Sequence, residues 1–353
     1  MSKKIVGLFL GTAVGDAIGL PREGLSPKRA NKLFGLKIHP ALIVIPFIKR
    51  FSVCSDDTEH LWITARALIE TQNQDVESFE KRLSILMKWW FLSFPVGAGK
   101  ASLQSCFKLL LGISPKKSGI FSAGNGAVMR APIIGAYYAD NPDKMEAILK
   151  ASTLMTHTDP RAYEGAWVIA KASSLLMQHD HEKAPVAIFF NEISSYIKNQ
   201  ELQENLNTAQ TLLNEKKSLE EFLKCIHRDK KGISGYVNHT VPAVIYAWLN
   251  HYGNYQKTIE ALVQVGGDTD TTAAIAGALA GMTTGKEKIP NDWLNSVCNN
   301  PLSIHKLEQL ANALAVNSIQ SIPKVNFFLL FIRNVFLLFI VLIHGFRRLA
   351  PPY

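Results

Sequence analysis

The stretch VGGDTDTTAAIAGALAG, residues 265–281, joins two carboxylates to a helix made almost entirely of Ala and Gly. Residues two positions apart on a helix do not face each other. Asp268 and Asp270 can therefore converge only if Asp268 lies in the turn formed by Gly266 and Gly267. We predict a chelating loop at the start of a closely packed helix.

The glycines of this helix have a counterpart near the N-terminus. In both segments a glycine recurs at every fourth position: Gly7, Gly11, Gly15 and Gly19 in the first, and Gly277, Gly281 and Gly285 in the second. Each glycine costs up to ~1 kcal/mol of helix propensity against Ala, but a row of them lets another backbone approach closely. Such rows also occur in membrane helices. Asp16 in the first row and the polar start of the second favour a soluble core here.

Helical periodicity dominates the rest of the chain and predicts an all-α fold. One helix is predicted to begin after Ser55, and further helices are predicted near residues 77–92, 102–111, 126–139, 143–155, 160–178, 184–198, 203–214, 238–251, 255–265, 270–284 and 303–319. The only β-like run is ALIVIPFI, residues 41–48, where Pro46 argues against a central strand. Strands do not alternate with helices, which excludes a parallel-sheet enzyme.

A second acidic cluster follows the same pattern as the first. Ser55, Asp56 and Asp57 open a predicted helix, as Asp268 and Asp270 do. Four carboxylates with hydroxyl groups suit Mg²⁺, Ca²⁺ or Mn²⁺, and no His or Cys is present to favour zinc. Simple N-capping, which stabilises a helix by up to ~1 kcal/mol per group, is the alternative. The repetition of the cluster and the Gly-Gly approach, which a cap does not require, favour a metal site.

Three weaker motifs lie between these clusters. Gly124, Asn125 and Gly126 form a loop before a helix, whose amides can turn toward an anion, although a simple turn with an N-cap is the better explanation of this loop taken alone. His157 could line a site, cap a helix or fill the core. Tyr236 precedes an apolar helix, where an aromatic side chain more often packs than stacks on a ligand.

Composition indicates a globular protein of 353 residues with 47% apolar and 19% charged residues. The net charge of +9 suits an anionic ligand, but the basic residues are scattered, so we expect no nucleic-acid partner. The four cysteines lie far apart without a CxxC pair, which predicts reduced thiols in a cytosolic compartment. Lys3 and Lys4 before an apolar run imitate a signal peptide, but Asp16 and the helical glycine period favour a mature domain.

The C-terminal segment FFLLFIRNVFLLFIVLI, residues 327–343, has a different character. Only Arg333 and Asn334 interrupt its apolar side chains. The apolar residues contribute about −5 to −8 kcal/mol to membrane insertion and an off-centre arginine opposes it by at most about 3 kcal/mol. We predict a membrane-attached tail over residues 321–353 behind a domain of residues 1–320. The alternative is a core or interfacial helix whose Arg333 reaches the surface.

Taken in order, six motifs resemble those of the ADP-ribosylglycohydrolase family. They are GTAVGDAIGLPREG, SDDTE, GNGAVMR, THTDP, GYV..T and VGGDTDTTAAIAGALAG, spread from about Lys4 to about Gly285. The resemblance implies an all-α, orthogonally packed helical fold with two divalent metals, Mg²⁺ or Mn²⁺, in a central cleft. The basic, apolar segment between Glu23 and Ser55 and the C-terminal tail depart from the family pattern.

The resemblance also implies roles for individual residues. The metal ligands would be Ser55, Asp56, Asp57, Asp268, Asp270 and Thr271. The substrate-binding residues would be Gly124, Asn125, Gly126, Met129, His157 and, with less support, Tyr236. Glu23, Asp57 and Asp268 would be catalytic, and Asp16 would have a supporting role.

The implied reaction is hydrolysis of the bond between the anomeric carbon of the distal ribose and its acceptor. The metals would orient the ribose hydroxyls and activate water, while Glu23 or a metal-bridging aspartate moves protons. Arginine, serine, a nucleobase and O-acetyl-ADP-ribose remain open as acceptors. Two alternatives also remain: a catalytically silent ADP-ribose-binding relative, and a membrane-associated immunity protein that occludes a toxin.

Overall fold

The computed structural model describes residues 2–41, 51–72 and 74–349, and these confirm the predicted all-α fold. The described residues form no strand, only isolated β-bridges between loops. The first nine helices are α1 Ser2–Gly19, α2 Pro27–Phe34, α3 Asp56–Glu70, α4 Val76–Leu92, α5 Lys100–Leu110, α6 Pro115–Ser118, α7 Ala131–Tyr137, α8 Pro142–Leu154 and α9 Pro160–Gln178. The others are α10 Val186–Ser194, α11 Gln200–Asn214, α12 Leu219–Cys225, α13 Val237–Asn250, α14 Tyr255–Val265, α15 Thr269–Thr284, α16 Asn291–Ser296, α17 Ile304–Ala315 and α18 Phe327–Leu349.

The predicted helices agree with these bounds to within a few residues, with one difference in kind. The segment predicted as one helix near 126–139 is a 3₁₀-helix, Asn125–Arg130, followed by α7. Short helices α2, α6, α12 and α16 were not predicted, because four to eight residues carry too little periodicity to identify a helix. Most of the ALIVIPFI run lies outside the described residues.

The two glycine-rich helices, α1 and α15, pack against each other at the centre of the molecule. A Cβ atom built on Gly11 would lie 2.1 Å from the carbonyl oxygen of Gly277, and one on Gly7 would lie 2.0 Å from that of Gly281. The predicted close approach of the two backbones is therefore confirmed. Gly285 differs from the rest of its row, because it ends α15 with a left-handed φ of 75°.

Gly11→Ala is expected to destabilise the protein by about 2 to 3 kcal/mol, because the added methyl group must displace the backbone of α15. At an unconstrained helix position the same change would stabilise the protein by up to ~1 kcal/mol. Urea unfolding measures the difference, with Gly99→Ala as the control, since a Cβ at Gly99 meets nothing within 4 Å. Equal or greater stability of Gly11→Ala would contradict the packing.

Helix α1 has the length and hydropathy of a membrane span over Ser2–Arg22, but 94% of that stretch is buried in the protein. Its apolar side chains belong to the main core, together with those of α3, α13 and α15. Helix α1 is therefore a core helix of the domain.

Helix α18 is the apolar C-terminal helix predicted from the sequence, and it lies against the domain. Leu337 packs against Leu20 and Val96, and Asn334 is fully buried. Arg333 does not reach the surface, in contrast to the alternative considered from the sequence. Its guanidinium group points into the domain and pairs with Glu59 at 2.8 Å. Membrane attachment itself, and the division at residue 320, stay predictions.

Candidate functional site

A cleft of about 530 Å³ opens where the starts of α3 and α15 meet the 3₁₀-helix Asn125–Arg130. Most of the residues singled out from the sequence line it: Glu23, Asp56, Gly124, Asn125, Gly126, Met129, His157, Asp268, Asp270 and Thr271. Ser55 and Asp57 are buried just behind this wall. The motifs that are far apart in the sequence thus form one site.

The two acidic clusters are in direct contact. The Thr271 hydroxyl donates a hydrogen bond of 3.0 Å to Asp57 Oδ2, across 214 residues of sequence. The Ser55 hydroxyl donates to the same oxygen at 3.2 Å. Ser55 also caps α3, since its Oγ accepts from the Asp57 amide. The capping interpretation is therefore confirmed for Ser55, while its role as a metal ligand stays a prediction.

The Gly266-Gly267 turn places Asp268 ahead of α15, as predicted. Gly267 has a φ of 92°, and a Cβ there would lie 1.9 Å from the carbonyl oxygen of Ile233. The Asp268 amide donates to that oxygen at 2.7 Å. Asp268 thus occupies the N-cap position of α15 and Asp270 its first turn. Both carboxylates reach the cleft because the turn, not the helix, carries Asp268.

The Glu23 segment is fixed to the same turn. The Gly24 amide donates to the Gly267 carbonyl oxygen at 2.7 Å, and the Gly267 amide donates to that of Leu25 at 3.1 Å. These bonds hold Glu23 on the cleft wall beside Asp270, and its charge adds to the rise in the pKa of Asp270. Glu23 is therefore placed to exchange protons with groups bound in the cleft.

The buried aspartates of the cleft repel one another. Burial, and then repulsion from neighbouring carboxylates, raises the pKa of Asp56, Asp57 and Asp270. Asp57 Oδ1 is buried and has no hydrogen-bond partner. Within the described ranges, no Lys or Arg forms an ion pair with these three residues or with Asp268. Buried like charges of this kind are relieved by protonation or by bound cations, and their oxygen atoms are of the type that suits Mg²⁺ or Mn²⁺.

The ligand atoms are not preassembled around one point. Among the residues that the structure describes, no three His, Cys, Asp or Glu side chains stand at the mutual spacing of a single metal site. Asp57 is instead engaged by hydroxyl groups, and Asp268 Oδ2 accepts from the Asn125 amide at 2.7 Å. Hydroxyl and amide groups can exchange partners by rotation about side-chain bonds, so metal binding at these residues stays a prediction.

Asp16 supports the start of α3 from behind. This fully buried carboxylate accepts hydrogen bonds from the amides of Ser55 and Thr58, at 2.9 and 3.1 Å, and from the Thr58 hydroxyl. Burial raises its pKa, while the same hydrogen bonds lower it. The contacts agree with the supporting role predicted for Asp16, because they fix the segment that carries Asp56 and Asp57.

The GNG loop encloses the imidazole of His157. A Cβ on Gly126 would lie 3.0 Å from His157 Cε1, and one on Gly124 would lie 3.4 Å from Nε2. Burial, and to a lesser extent Arg130, lowers the pKa of His157 to about 3. The ring is therefore neutral at physiological pH and can form hydrogen bonds with a ligand without adding charge.

Arg130 was not identified as a site residue from the sequence, although it ends the quoted motif GNGAVMR. It is fully buried and donates to the Gly126 carbonyl oxygen at 3.0 Å, to Ser152 Oγ and O at 2.9 Å and to Thr156 Oγ1 at 2.7 Å. Burial lowers the pKa of Arg130 to about 10, so it stays protonated at neutral pH. This side chain holds the GNG loop and the His157 loop together.

The basic residues at the cleft were also missed. Lys100, Arg228 and Lys231 line it beside the GNG loop. Lys100 begins α5, whereas Arg228 and Lys231 share the loop between α12 and α13, so the sequence shows them only as part of a diffuse surplus of positive charge. Together they provide a cationic rim that suits an anionic ligand such as a pyrophosphate.

Tyr236 is not among the residues that line the cleft, and its role in substrate binding stays a prediction. Its hydroxyl donates to Glu201 and accepts from Arg161 at 3.1 Å and from Asn238 at 2.9 Å. The Arg161 guanidinium lies over the ring, 5.5 Å from its centroid. The ring is thus engaged by protein groups, and its backbone, bridged to Gly124, is the part that supports the site.

Comparison with known proteins links this site to one family. The family model described as ADP-ribosylglycohydrolase matches residues 1–322. The chain is 27% identical to ADP-ribosylhydrolase ARH3 of Gallus gallus, with 87% of this chain and 91% of that protein covered. It is 25% identical to the ADP-ribosyl-[dinitrogen reductase] glycohydrolase of Rhodospirillum rubrum, with 83% and 90% covered.

A solved structure has the same fold. It is described as an ADP-ribosylglycohydrolase-related protein complex, and it superposes with a TM-score of 0.68 at 23% sequence identity. The similarity covers 90% of this chain and 98% of the other. Helix α18 lies beyond the residues that the family model matches.

Proposed function

Because this chain belongs to the ADP-ribosylglycohydrolase family of hydrolases, which remove ADP-ribose, we propose that it hydrolyses the bond at the anomeric carbon of the distal ribose with the help of two divalent metal ions. One observation supports the metal dependence: four aspartates, three of them buried, converge on one cleft, and none of them forms an ion pair with a Lys or Arg in the described part of the chain. Carboxylates in such a cluster are costly to keep ionised, and bound divalent cations would offset that cost.

The metal ions would be held by carboxylate and hydroxyl oxygens from the two clusters. The proposed ligands are Ser55, Asp56, Asp57, Asp268, Asp270 and Thr271. When bound, Mg²⁺ or Mn²⁺ supplies Lewis acidity and a template for oxygen groups. The protein itself contributes the dense carboxylate wall, held on one side by Asp16 and on the other by the Gly266-Gly267 turn.

The remaining residues of the cleft fit an ADP-ribosyl group. The GNG loop and the neutral imidazole of His157 form a polar wall that can receive ribose hydroxyls and phosphates. Lys100, Arg228 and Lys231 compensate the pyrophosphate charge from the rim. Glu23, on the opposite wall, is placed to take a proton from water or deliver one to the acceptor.

The test uses the full chain, because helix α18 contacts the domain next to the site. Purified protein is stripped of metals with a chelator and incubated with ADP-ribosylated arginine, ADP-ribosylated serine, an ADP-ribosylated nucleobase or O-acetyl-ADP-ribose, with and without Mg²⁺ or Mn²⁺. Chromatography measures released ADP-ribose. We expect release from at least one acceptor, and only when a divalent metal is present.

The outcomes separate the alternatives. Release that persists in chelator would refute the metal dependence while leaving a hydrolase. No release from any of the four acceptors, together with measurable binding of ADP-ribose, would show a binding protein instead. The four acceptors are tested in parallel because the segment between Glu23 and Ser55 differs from the family pattern.

We further propose that the outer face of α18 binds an anionic lipid surface. This lipid face consists of large apolar side chains at helical spacing, each 48 to 71% exposed: Phe328, Ile332, Phe336, Phe339, Ile343 and Phe346. The opposite face of α18 contacts the domain through Arg333 and Leu337. The sequence places Lys324 before the lipid face and Arg347 and Arg348 at its end. An amphipathic helix with flanking cations lies in a membrane interface rather than across it.

Replacing two aromatics of the lipid face, Phe336→Ser with Phe339→Ser, is expected to lower vesicle binding at least about tenfold, because each phenylalanine contributes about 1.5 to 3 kcal/mol when buried. Co-sedimentation with phosphatidylcholine vesicles, with and without phosphatidylglycerol, measures binding. Phe107→Ser on α5 is the control, since Phe107 is 55% exposed. Absence of vesicle binding by the parent, with self-association that the double change abolishes, would identify the face as a dimer contact instead.

A further inference from the structure

Arg333 connects the apolar helix α18 to the segment that carries the first acidic cluster. It is the only charged residue of 327–343, yet its side chain is only 13% exposed and points toward the domain. Its Nη1 donates to Glu59 Oε1 at 2.8 Å, and its Nη2 donates to the carbonyl oxygen of Cys54 and to Asn299 Oδ1. A helix that served only as a lipid anchor would not need an inward cation.

Two partners of Arg333 lie on either side of the proposed metal ligands. Cys54 directly precedes Ser55, and Glu59 follows Asp57 by two residues. Glu59 is 2% exposed, and its second oxygen accepts from Trp90 Nε1 at 2.8 Å. Arg333 therefore holds the ligand segment from the face opposite to Asp16, which binds the amides of Ser55 and Thr58.

The same helix contacts two further parts of the cleft wall. Leu337 packs against Leu20, three residues before Glu23, and against Val96. Val96 is followed by Gly97, where an added Cβ would lie 2.8 Å from Asp56 Oδ1. Helix α18 thus lies behind three segments that line or support the site.

We propose that Arg333 is a positioning residue, which couples the docking of α18 to the placement of the ligand segment 54–59. Only the expected change in metal affinity rests on the proposed function; the expected change in the placement of residues 54–59 does not. If α18 leaves the domain, the Cys54 carbonyl oxygen loses its donor and Glu59 remains as a buried charge without its partner. A lipid surface that holds the lipid face in place would stabilise the docked helix and hence the site.

The experiment compares four full-length proteins: the parent, Arg333→Met, Arg333→Met with Glu59→Gln, and Lys324→Met as the control for loss of an exposed cation from the same segment. Hydrogen exchange of the metal-free proteins is followed by mass spectrometry over residues 52–60. Binding of Mn²⁺ is followed by electron paramagnetic resonance, and thermal unfolding is recorded in parallel.

We expect Arg333→Met to exchange at least tenfold faster over residues 52–60 and to bind Mn²⁺ at least tenfold more weakly, with Lys324→Met unchanged. Glu59→Gln in the Arg333→Met background removes the unpaired charge, so it should restore thermal stability. It should restore neither the slow hydrogen exchange of the parent over residues 52–60 nor its tight Mn²⁺ binding. If it restores all three, Arg333 is merely a counterion for Glu59, and the positioning role is refuted.

Unchanged exchange in Arg333→Met would refute the proposal as well. A parent protein that binds no Mn²⁺ would instead overturn the metal dependence proposed above. In that case the exchange rates of the metal-free proteins still decide the positioning role. Leu175→Ala is the control for a general loss of stability, because it shows whether such a loss alone changes exchange at residues 52–60. Leu175 lies in the core, about 24 Å along α9 from Asp159.

Discussion

Asp57→Asn and Asp270→Asn are each expected to lower kcat/KM by about 10³-fold, which corresponds to about 4 kcal/mol of lost transition-state stabilisation. Both side chains are buried in the cleft wall, and the amide has nearly the same size as the carboxylate. The substitution therefore removes charge and one oxygen donor without creating a cavity. Steady-state assays on the acceptor found active in the parent measure the effect.

The same two variants are expected to unfold at a higher temperature than the parent when metals are absent. Neighbouring carboxylates raise the pKa of Asp57 and Asp270, so removing one charge relieves repulsion. Lower activity combined with higher metal-free stability is typical of a functional site and not of a structural one. Asp292→Asn on α16 is the matched control, since Asp292 is exposed. Activity within twofold of the parent in either cleft variant would rule out the proposed ligand role.

The parts of the site that could be predicted from the sequence are those in which the residue types and their spacing indicate the local structure by themselves. The glycine rows of α1 and α15 predict a close backbone approach, because no other residue type permits it. The Gly266-Gly267 turn predicts the position of Asp268 for a similar reason. Ser55, Asp56 and Asp57 are recognisable because hydroxyl and carboxylate groups cluster at a helix start.

The parts that could not be predicted depend on partners distant in the sequence. The contact between Arg333 and Glu59 joins residues 274 positions apart, and within α18 the arginine looks like a defect in a membrane segment. The cationic rim joins Lys100, at the start of α5, to Arg228 and Lys231 in the loop after α12, and no local pattern shows that these two distant segments meet. The contact of Tyr236 is hidden for the same reason, since its local motif does not show that Arg161 covers its ring.

Arg130→Met is expected to destabilise the protein by about 3 kcal/mol, because it leaves buried acceptors of the two substrate loops without donors. The GNG loop and the His157 loop would lose their common partner, so kcat/KM should also fall by about 10²-fold, since small displacements of positioning groups have effects of that size. Urea unfolding and steady-state kinetics with the active acceptor measure the two changes.

Arg130→Lys tests whether the positive charge at this position or the hydrogen-bond geometry of the guanidinium group is what matters. Lysine keeps the cation but cannot reach Gly126, Ser152 and Thr156 together, since its single ammonium group replaces a planar fork. We therefore expect Arg130→Lys to resemble Arg130→Met in activity, whereas Arg29→Met, which removes an exposed arginine on α2, should resemble the parent. Full activity of Arg130→Lys would mean that the buried positive charge matters beside the acidic cleft, and not the hydrogen bonds that join the loops.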